Sequence, residues 1–242
     1  MRLKSARQKK KKKFWKELNF STKGEKMSGY KKDFTEFLLS TKALKFGDFV
    51  TKSGRNSPYF INIGDLNDGA CLEKLGSFYA KAIASEFGKN VDVLLGPAYK
   101  GIPIAVMAAA KLNEEFGVNA KYCSIRKEIK DHGDAGVFLG AKLKGGEKVV
   151  IVEDVTTAGT SIRETMDVLK NFNVEVLGLV VSVDRMEKGA GEKTALTEIA
   201  ETFGFKTMAI VNLDEILDVV KETLSIEQKG KIAEYREIYG AK

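Results

Sequence analysis

Residues Val149 to Ser161, VVIVEDVTTAGTS, constrain what this chain can fold into more than any other stretch. Val149 to Val152 are β-branched and apolar without alternation, the pattern of a strand covered on both faces in a parallel sheet. Glu153 and Asp154 place two carboxylates where that strand ends. Thr156, Thr157, Gly159, Thr160 and Ser161 then form a small, hydroxyl-rich turn into a helical pattern over Ile162 to Leu169. Strand, turn and helix in that order are the repeating unit of an open α/β sheet.

The same stretch predicts an anion site. The first N–H groups of a helix have no partner within it, and the helix dipole favours a phosphate there. Hydroxyls of Thr157, Thr160 and Ser161 add donors, and Gly159 lets the backbone approach closely. Two carboxylates touching a phosphate would repel it, so they suit sugar hydroxyls or a divalent cation. The combination asks for a ribose that carries a 5′-phosphate. Neither a Gly-Lys-Ser/Thr P-loop nor a G-x-G-x-x-G turn is present here.

Charge is unevenly placed. The formal net charge is +7, but residues 1–26 carry eleven Lys/Arg against two Asp/Glu, a net +9, which leaves −2 for the rest. The basicity therefore belongs to an extension, MRLKSARQKKKKKFWKELNFSTKGEK, and not to a folded face. Five consecutive lysines predict disorder, and the segment has no apolar core of a signal peptide. An RNA-binding or membrane-surface arm is one reading. A start-site artefact is the preferred one, since Met27 opens MSGYKKDFTEFLL and Lys23-Gly24-Glu25-Lys26 can be encoded by a purine-rich run like a ribosome-binding site. Deleting residues 1–26 is expected to leave activity and melting temperature nearly unchanged, measured side by side with the full chain, because the segment has little apolar surface to bury.

The remaining 27–242 reads as one α/β domain. Asp33 to Leu44 is an amphipathic helix pattern, and Leu44 to Gly64 reads as short strands broken by Gly47, Gly54 and Pro58, a hairpin hood. A long helix over Asp68 to Phe87 and a strand over Val91 to Leu95 follow. That strand runs into Gly96-Pro97-Ala98-Tyr99-Lys100-Gly101 and a helix over Ile102 to Glu115, a second anion-site pattern. Ala120 to Ile125 is a strand, and Arg126 to Gly140 a loop bearing Arg126, Lys127, Lys130 and His132, the chain's only histidine. Strands at Val174 to Val183 and Lys206 to Val211 and helices at Thr194 to Phe203, Leu213 to Val220 and Ile226 to Tyr239 complete the pattern. Cys71 and Cys123, the only cysteines, are expected to be buried free thiols.

From its hydrophobic run through the acidic pair to TTAGTS, the opening stretch resembles the phosphoribosyl diphosphate (PRPP) motif of the type I phosphoribosyltransferases. KFGDFVTKSGRNSPYFINIG, GPAYKGIP and RKEIKDHGDAGVFLG resemble, in the same order, the hood, pyrophosphate loop and catalytic loop of the orotate-using members. The resemblance implies an open, mostly parallel sheet flanked by helices with a small N-terminal hood. It implies PRPP contacts from Lys52, Tyr99, Lys100, Arg126, Lys127, Lys130 and His132 and from the motif itself, Glu153, Asp154, Val155, Thr156, Thr157, Ala158, Gly159, Thr160 and Ser161. Orotate is implied at Phe60, Ile61, Thr157 and Arg185, with the Arg185 guanidinium on its carboxylate.

On that reading Lys52, Lys100, Arg126, Lys127, Lys130, His132 and Asp154 are the catalytic groups. Mg²⁺ is expected as cofactor, carried mainly by PRPP and not held directly by the protein. A cytoplasmic homodimer whose catalytic loop reaches the neighbouring subunit's site is expected, with no nucleic-acid or membrane partner. A sister transferase for another base, and a PRPP-sensing nucleic-acid-binding regulator, remain as alternatives; the −2 outside the extension speaks against the regulator.

Overall fold

The computed structural model describes residues 29–51, 54–130, 136–156 and 159–241. The basic extension and the start-site expectation lie outside these, as do Lys52, His132, Thr157 and Ala158. The described chain falls into two compact units. One comprises the residues up to Asn62 together with Leu213–Gly240; the other is Ile63–Asn212 with the extreme C-terminus.

In the first unit, helix α1 (Gly29–Ser40) buries Phe34, Phe37 and Leu38 on one face, the spacing that makes it amphipathic. Strands β1 (Leu44–Val50) and β2 (Asn56–Ile61) pair antiparallel, with an irregularity between Phe46 and Phe49. Leu44, expected at the end of α1, is instead the buried first residue of β1, because the helix stops at Ser40 and Lys42 takes a positive φ of 59°. Two C-terminal helices belong to the same unit, α6 (Leu213–Val220) and α7 (Ile226–Tyr239). A capping box between Ser225 and Gln228 starts α7. Tyr235 then meets the buried Tyr59 of β2 edge to face, with ring centroids 5.7 Å apart. This unit therefore includes the chain's last two helices as well as its first segment.

The second unit is a sheet with helices on both faces. Its elements are α2 (Gly69–Phe87), β3 (Val93–Leu95), α3 (Gly101–Phe116), β4 (Lys121–Lys130), β5 (Gly136–Gly140), β6 (Lys148–Glu153), α4 (Thr160–Leu169), β7 (Glu175–Asp184), α5 (Ala195–Phe203) and β8 (Lys206–Asn212). The strand order is β5-β4-β3-β6-β7-β8, parallel except for β5, which pairs antiparallel with β4. Alternation along the strands divides the core. Val93, Leu95, Val149, Ile151, Leu179 and Val181 cluster with Ile162 and Leu169 of α4 and Leu196 and Ile199 of α5. The intervening Leu94, Val150, Val152 and Val180, also buried, serve the face on which α2 and α3 pack. Those two helices approach closely at Gly76, where a Cβ would lie 2.8 Å from the Met107 carbonyl oxygen.

Two expectations need correction. Arg126 to Gly140 is not a loop throughout: β4 runs on to Lys130 and β5 begins at Gly136, so most of the segment forms the arms of an edge hairpin. Cys123 is buried and free as expected, whereas Cys71, in the first turn of α2, is only half-buried. Among the described residues no helix is long and apolar enough to cross a membrane.

Candidate active site

Connections leave the sheet in opposite directions from its middle. The chain passes from β3 through α3 to β4 on one side, and from β6 through α4 to β7 on the other. Beyond the carboxyl ends of β3 and β6 this reversal opens a crevice, the place where α/β sheets hold ligands. The two turns predicted as anion sites are the two that border it.

The turn after β3 depends on its glycines. A Cβ on Gly96 would come 2.0 Å from the Gly101 carbonyl oxygen, so only glycine lets the turn fold back onto the start of α3. The Ala98–Tyr99 peptide is cis. The turn presents Tyr99 to solvent, and Lys100 sits at the N-cap position of α3. Across the crevice the Lys100 ammonium donates to Asp154 Oδ2 at 2.8 Å. Side-chain exposure is 55% for Lys100 and 14% for Asp154, so water reaches the ammonium end and screens the pair, which contributes about 1 kcal/mol. An anion or a sugar diol entering the crevice can therefore separate the two at little cost. A cavity of about 360 Å³ adjoins the pair, with Ile63, Leu66, Leu72, Leu75, Pro103 and Ile104 among its walls.

On the β6 side, the turn ends at Gly159 with φ of 69°, and helix α4 starts at Thr160. Among the described residues no side chain caps it there, and the N–H groups of its first turn face the crevice end of the strand without a partner inside the helix. Thr160 is exposed, Ser161, Val155 and Thr156 are half-buried, and Gly159 is buried 3.0 Å (by its absent Cβ) from Ile199 Cδ1.

The acidic pair is unequal. Asp154 faces Lys100, while Glu153 is 7% exposed and turned inward. Its two oxygens accept from the Asp154 N–H at 2.9 Å and the Ser161 hydroxyl at 3.3 Å, tying the start of the turn to the start of α4. Burial, with the Asp154 charge adding to it against the opposing Asp154 N–H, lifts the Glu153 carboxyl from its ordinary 4.5 to about 7. A raised carboxyl pKa favours the folded state below the unfolded value, and that contribution is lost as pH rises through the folded one. Glu153→Gln is thus expected to flatten the fall in melting temperature between pH 4.5 and about 7. The removed component should be on the order of 3 kcal/mol, read from denaturation at several pH values. An unchanged pH profile would mean that Glu153 is ionised throughout.

The edge hairpin brings two of its predicted cations toward the same region. Arg126 Nε donates to the Phe138 carbonyl across the hairpin at 3.3 Å. The Lys127 ammonium sits 4.7 Å from the centroid of the Tyr99 ring, which links the hairpin to the β3 turn. Lys130 closes β4 opposite Gly136 in the ladder.

Comparison with known proteins agrees with this geometry. The phosphoribosyl transferase domain family matches residues 62–207. An orotate phosphoribosyltransferase of Clostridium acetobutylicum is 52% identical over 224 residues, covering 89% of this chain and 100% of that protein. The chain belongs to the orotate phosphoribosyltransferase family. A Clostridium beijerinckii relative of the same name is 54% identical over 224 residues, with 89% of this chain and 100% of that protein covered. The crystal structure of the Francisella tularensis orotate phosphoribosyltransferase superposes with a TM-score of 0.77 at 38% identity, over 86% of this chain and 100% of that one. The α/β fold with a mostly parallel sheet is thus the fold of the phosphoribosyltransferases.

Two groups assigned to the base by the resemblance to the orotate phosphoribosyltransferases already have neighbours within their own units. Arg185 follows the carboxyl end of β7 and pairs with Glu187, Nε at 2.9 Å and Nη2 at 2.7 Å from the same carboxylate oxygen. Both side chains are largely buried, at 13% and 14% exposure. In the hairpin unit, the half-buried Phe60 stacks on Phe49 with centroids 5.5 Å apart, and Ile61 beside it is half-buried. Tyr79 and Ser182, which are not among the candidate site residues of the sequence, touch the backbone of the acidic pair. Ser182 carried a signal: one hydroxyl in an otherwise apolar buried strand needs a partner.

Proposed function

We propose that this orotate phosphoribosyltransferase family member transfers the ribose 5-phosphate group of PRPP to orotate, giving orotidine 5′-phosphate and pyrophosphate for pyrimidine synthesis. The observation that carries the assignment of the site is the Lys100–Asp154 pair at the switch point, set between the starts of α3 and α4. The start of α4, with Thr156, Thr157, Thr160 and Ser161, takes the 5′-phosphate. Asp154 takes the ribose hydroxyls, and Lys100, released from it, turns to the pyrophosphate.

The bond from C1 to the pyrophosphate oxygen breaks, and a bond from C1 to a ring nitrogen of orotate forms. Positive charge builds on the ribosyl ring and negative charge on the leaving group, so catalysis is charge stabilisation and not nucleophilic attack by a side chain. Asp154 supports the first; Lys52, Lys100, Arg126, Lys127, Lys130 and His132 support the second. Orotate is assigned to Phe60, Ile61, Thr157 and the guanidinium of Arg185, which exchanges Glu187 for the substrate carboxylate.

Among the described residues no group of three His, Cys, Asp or Glu could hold a metal, and the hard oxygen that the crevice offers is that of Asp154. This donor set fits Mg²⁺ arriving on PRPP, with Asp154 as the residue that would face it; bound there, the ion supplies neutralisation of the leaving group. A cytoplasmic homodimer with the Arg126–Asp134 segment acting on the neighbouring site completes the proposal.

The test is a panel of bases with PRPP and Mg²⁺, products identified by mass. Only orotate is expected to yield a ribose 5-phosphate adduct. An adduct with uracil or a purine and none with orotate would assign the chain to a different base.

A further inference from the structure

The acidic pair sits at a point where the sheet can no longer hold it. On one side β3 ends at Leu95, whose ladder partner is Ile151, so β6 runs two residues past its neighbour. On the other side β7 continues, and the Ser182 N–H donates to the Asp154 carbonyl at 2.9 Å. Successive carbonyls of a strand point to opposite sides. With the Asp154 carbonyl turned to β7, the Glu153 carbonyl faces the side from which β3 has ended. A switch-point crevice requires that early end, and the requirement leaves a buried carbonyl in want of a donor.

Tyr79 of α2 supplies it. Its phenol donates to the Glu153 carbonyl at 2.6 Å, and its side chain is 0% exposed, so no solvent can take its place. Ser182, also 0% exposed, directs its hydroxyl as well as its N–H to the Asp154 carbonyl. Each hydroxyl has one proton, and each proton goes to one of two consecutive carbonyls. The two hydroxyls thus clamp the two peptide units between which the Asp154 side chain leaves the backbone.

We propose that Tyr79 and Ser182 are positioning residues for PRPP: Tyr79 replaces the missing ladder donor at the switch point, the Ser182 hydroxyl reinforces the ladder bond on the other side, and together they hold Asp154 at the angle at which it meets the ribose. The proposal rests on the reading that Asp154 binds the ribose of PRPP. Neither hydroxyl touches substrate; both act through the backbone of the acidic pair. A packing role alone would need Tyr79 for its ring, which Tyr79→Phe preserves.

The experiment is titration of PRPP with Mg²⁺ into wild type, Tyr79→Phe, Ser182→Ala and Asp154→Asn, well below each melting temperature, with melting curves recorded alongside. Tyr79→Phe and Ser182→Ala are each expected to weaken PRPP roughly tenfold, a loss comparable to one hydrogen bond to a buried group. In steady state the deficit should appear in kcat/KM for PRPP. Tyr79→Phe that lowers the melting temperature but binds PRPP like wild type overturns the proposal, as does a variant unchanged in both. Should Tyr79→Phe not fold, Ser182→Ala decides by the same criterion. Asp154→Asn separates the two claims. If it keeps wild-type PRPP affinity, the ribose role of Asp154 falls and the positioning proposal with it. If it binds weakly while Tyr79→Phe and Ser182→Ala bind normally, the positioning claim alone is overturned.

Discussion

Equal amounts of Lys130→Ala and Asp154→Asn chains, each nearly inactive alone, are expected to recover roughly a quarter of wild-type activity when unfolded and refolded together, by the symmetry of a two-fold dimer. One lesion removes a cation of the β4–β5 hairpin; the other neutralises the carboxylate proposed to hold the sugar, just past the end of β6. Random reassembly makes half of the dimers mixed. If the hairpin segment acts on the neighbouring subunit, a mixed dimer has one site built from an intact Asp154 and the partner's intact Lys130, and a second site with both lesions. If the segment acts on its own subunit, every site in every dimer keeps one lesion and nothing recovers. A mixture that stays inactive, with subunit exchange confirmed, removes the shared site from the account.

The second large effect concerns Arg185. Arg185→Ala should lower kcat/KM for orotate roughly a hundredfold or more, because truncating one partner of a buried, hydrogen-bonded charge pair costs about 2–5 kcal/mol. PRPP affinity, titrated separately, should survive. The observed pairing adds a complication that the measurement must handle. With Arg185 gone, Glu187 at 14% exposure keeps a carboxylate without its guanidinium, so the melting temperature should also fall. Glu187→Gln separates the two effects: it removes the pair from the other side and should retain orotate use. If Arg185→Ala reduces orotate and PRPP affinity equally, Arg185 supports the fold of the β7 end and not the base.

Much of the fold was legible because its signals were local. The apolar run of β6 and that of β7, broken by Ser182 alone after Gly178, are rich in β-branched residues and bounded by turns as buried parallel strands are, and the glycines at Gly96, Gly101 and Gly159 mark turns that admit no side chain at two of those places without displacement. Helices α2, α6 and α7 lie within about a residue of their expected bounds, and α2 and α7 begin at the side-chain caps Asp68 and Ser225. The β4–β5 hairpin did not. Arg126-Lys127-Glu128-Ile129-Lys130 has neither an apolar run nor a clean alternation, so the strand that carries it has no periodic signature. Membership of the last two helices in the hood unit was equally invisible, since it is made by contacts such as Tyr59 with Tyr235, far apart in the chain.

The inequality of Glu153 and Asp154 is legible in the strand pattern. Period-two alternation puts Glu153 on the face of Val149 and Ile151, which α4 covers, and Asp154 on the other. The residue types alone suit both carboxylates equally to sugar hydroxyls or a divalent cation. Tyr79 was beyond reach: its helical spacing with Leu75 and Ile83 marks core, and nothing in the spacing says where a phenol proton goes.

Transfer of ribose 5-phosphate to orotate, as proposed, depends on PRPP. The direct measurement follows the ultraviolet absorbance of orotate with the full chain, with PRPP and Mg²⁺ together and with each omitted. Orotate should disappear only in the complete mixture, in step with released pyrophosphate, and Asp154→Asn should stop both. Pyrophosphate released while the orotate absorbance stays constant would contradict the account.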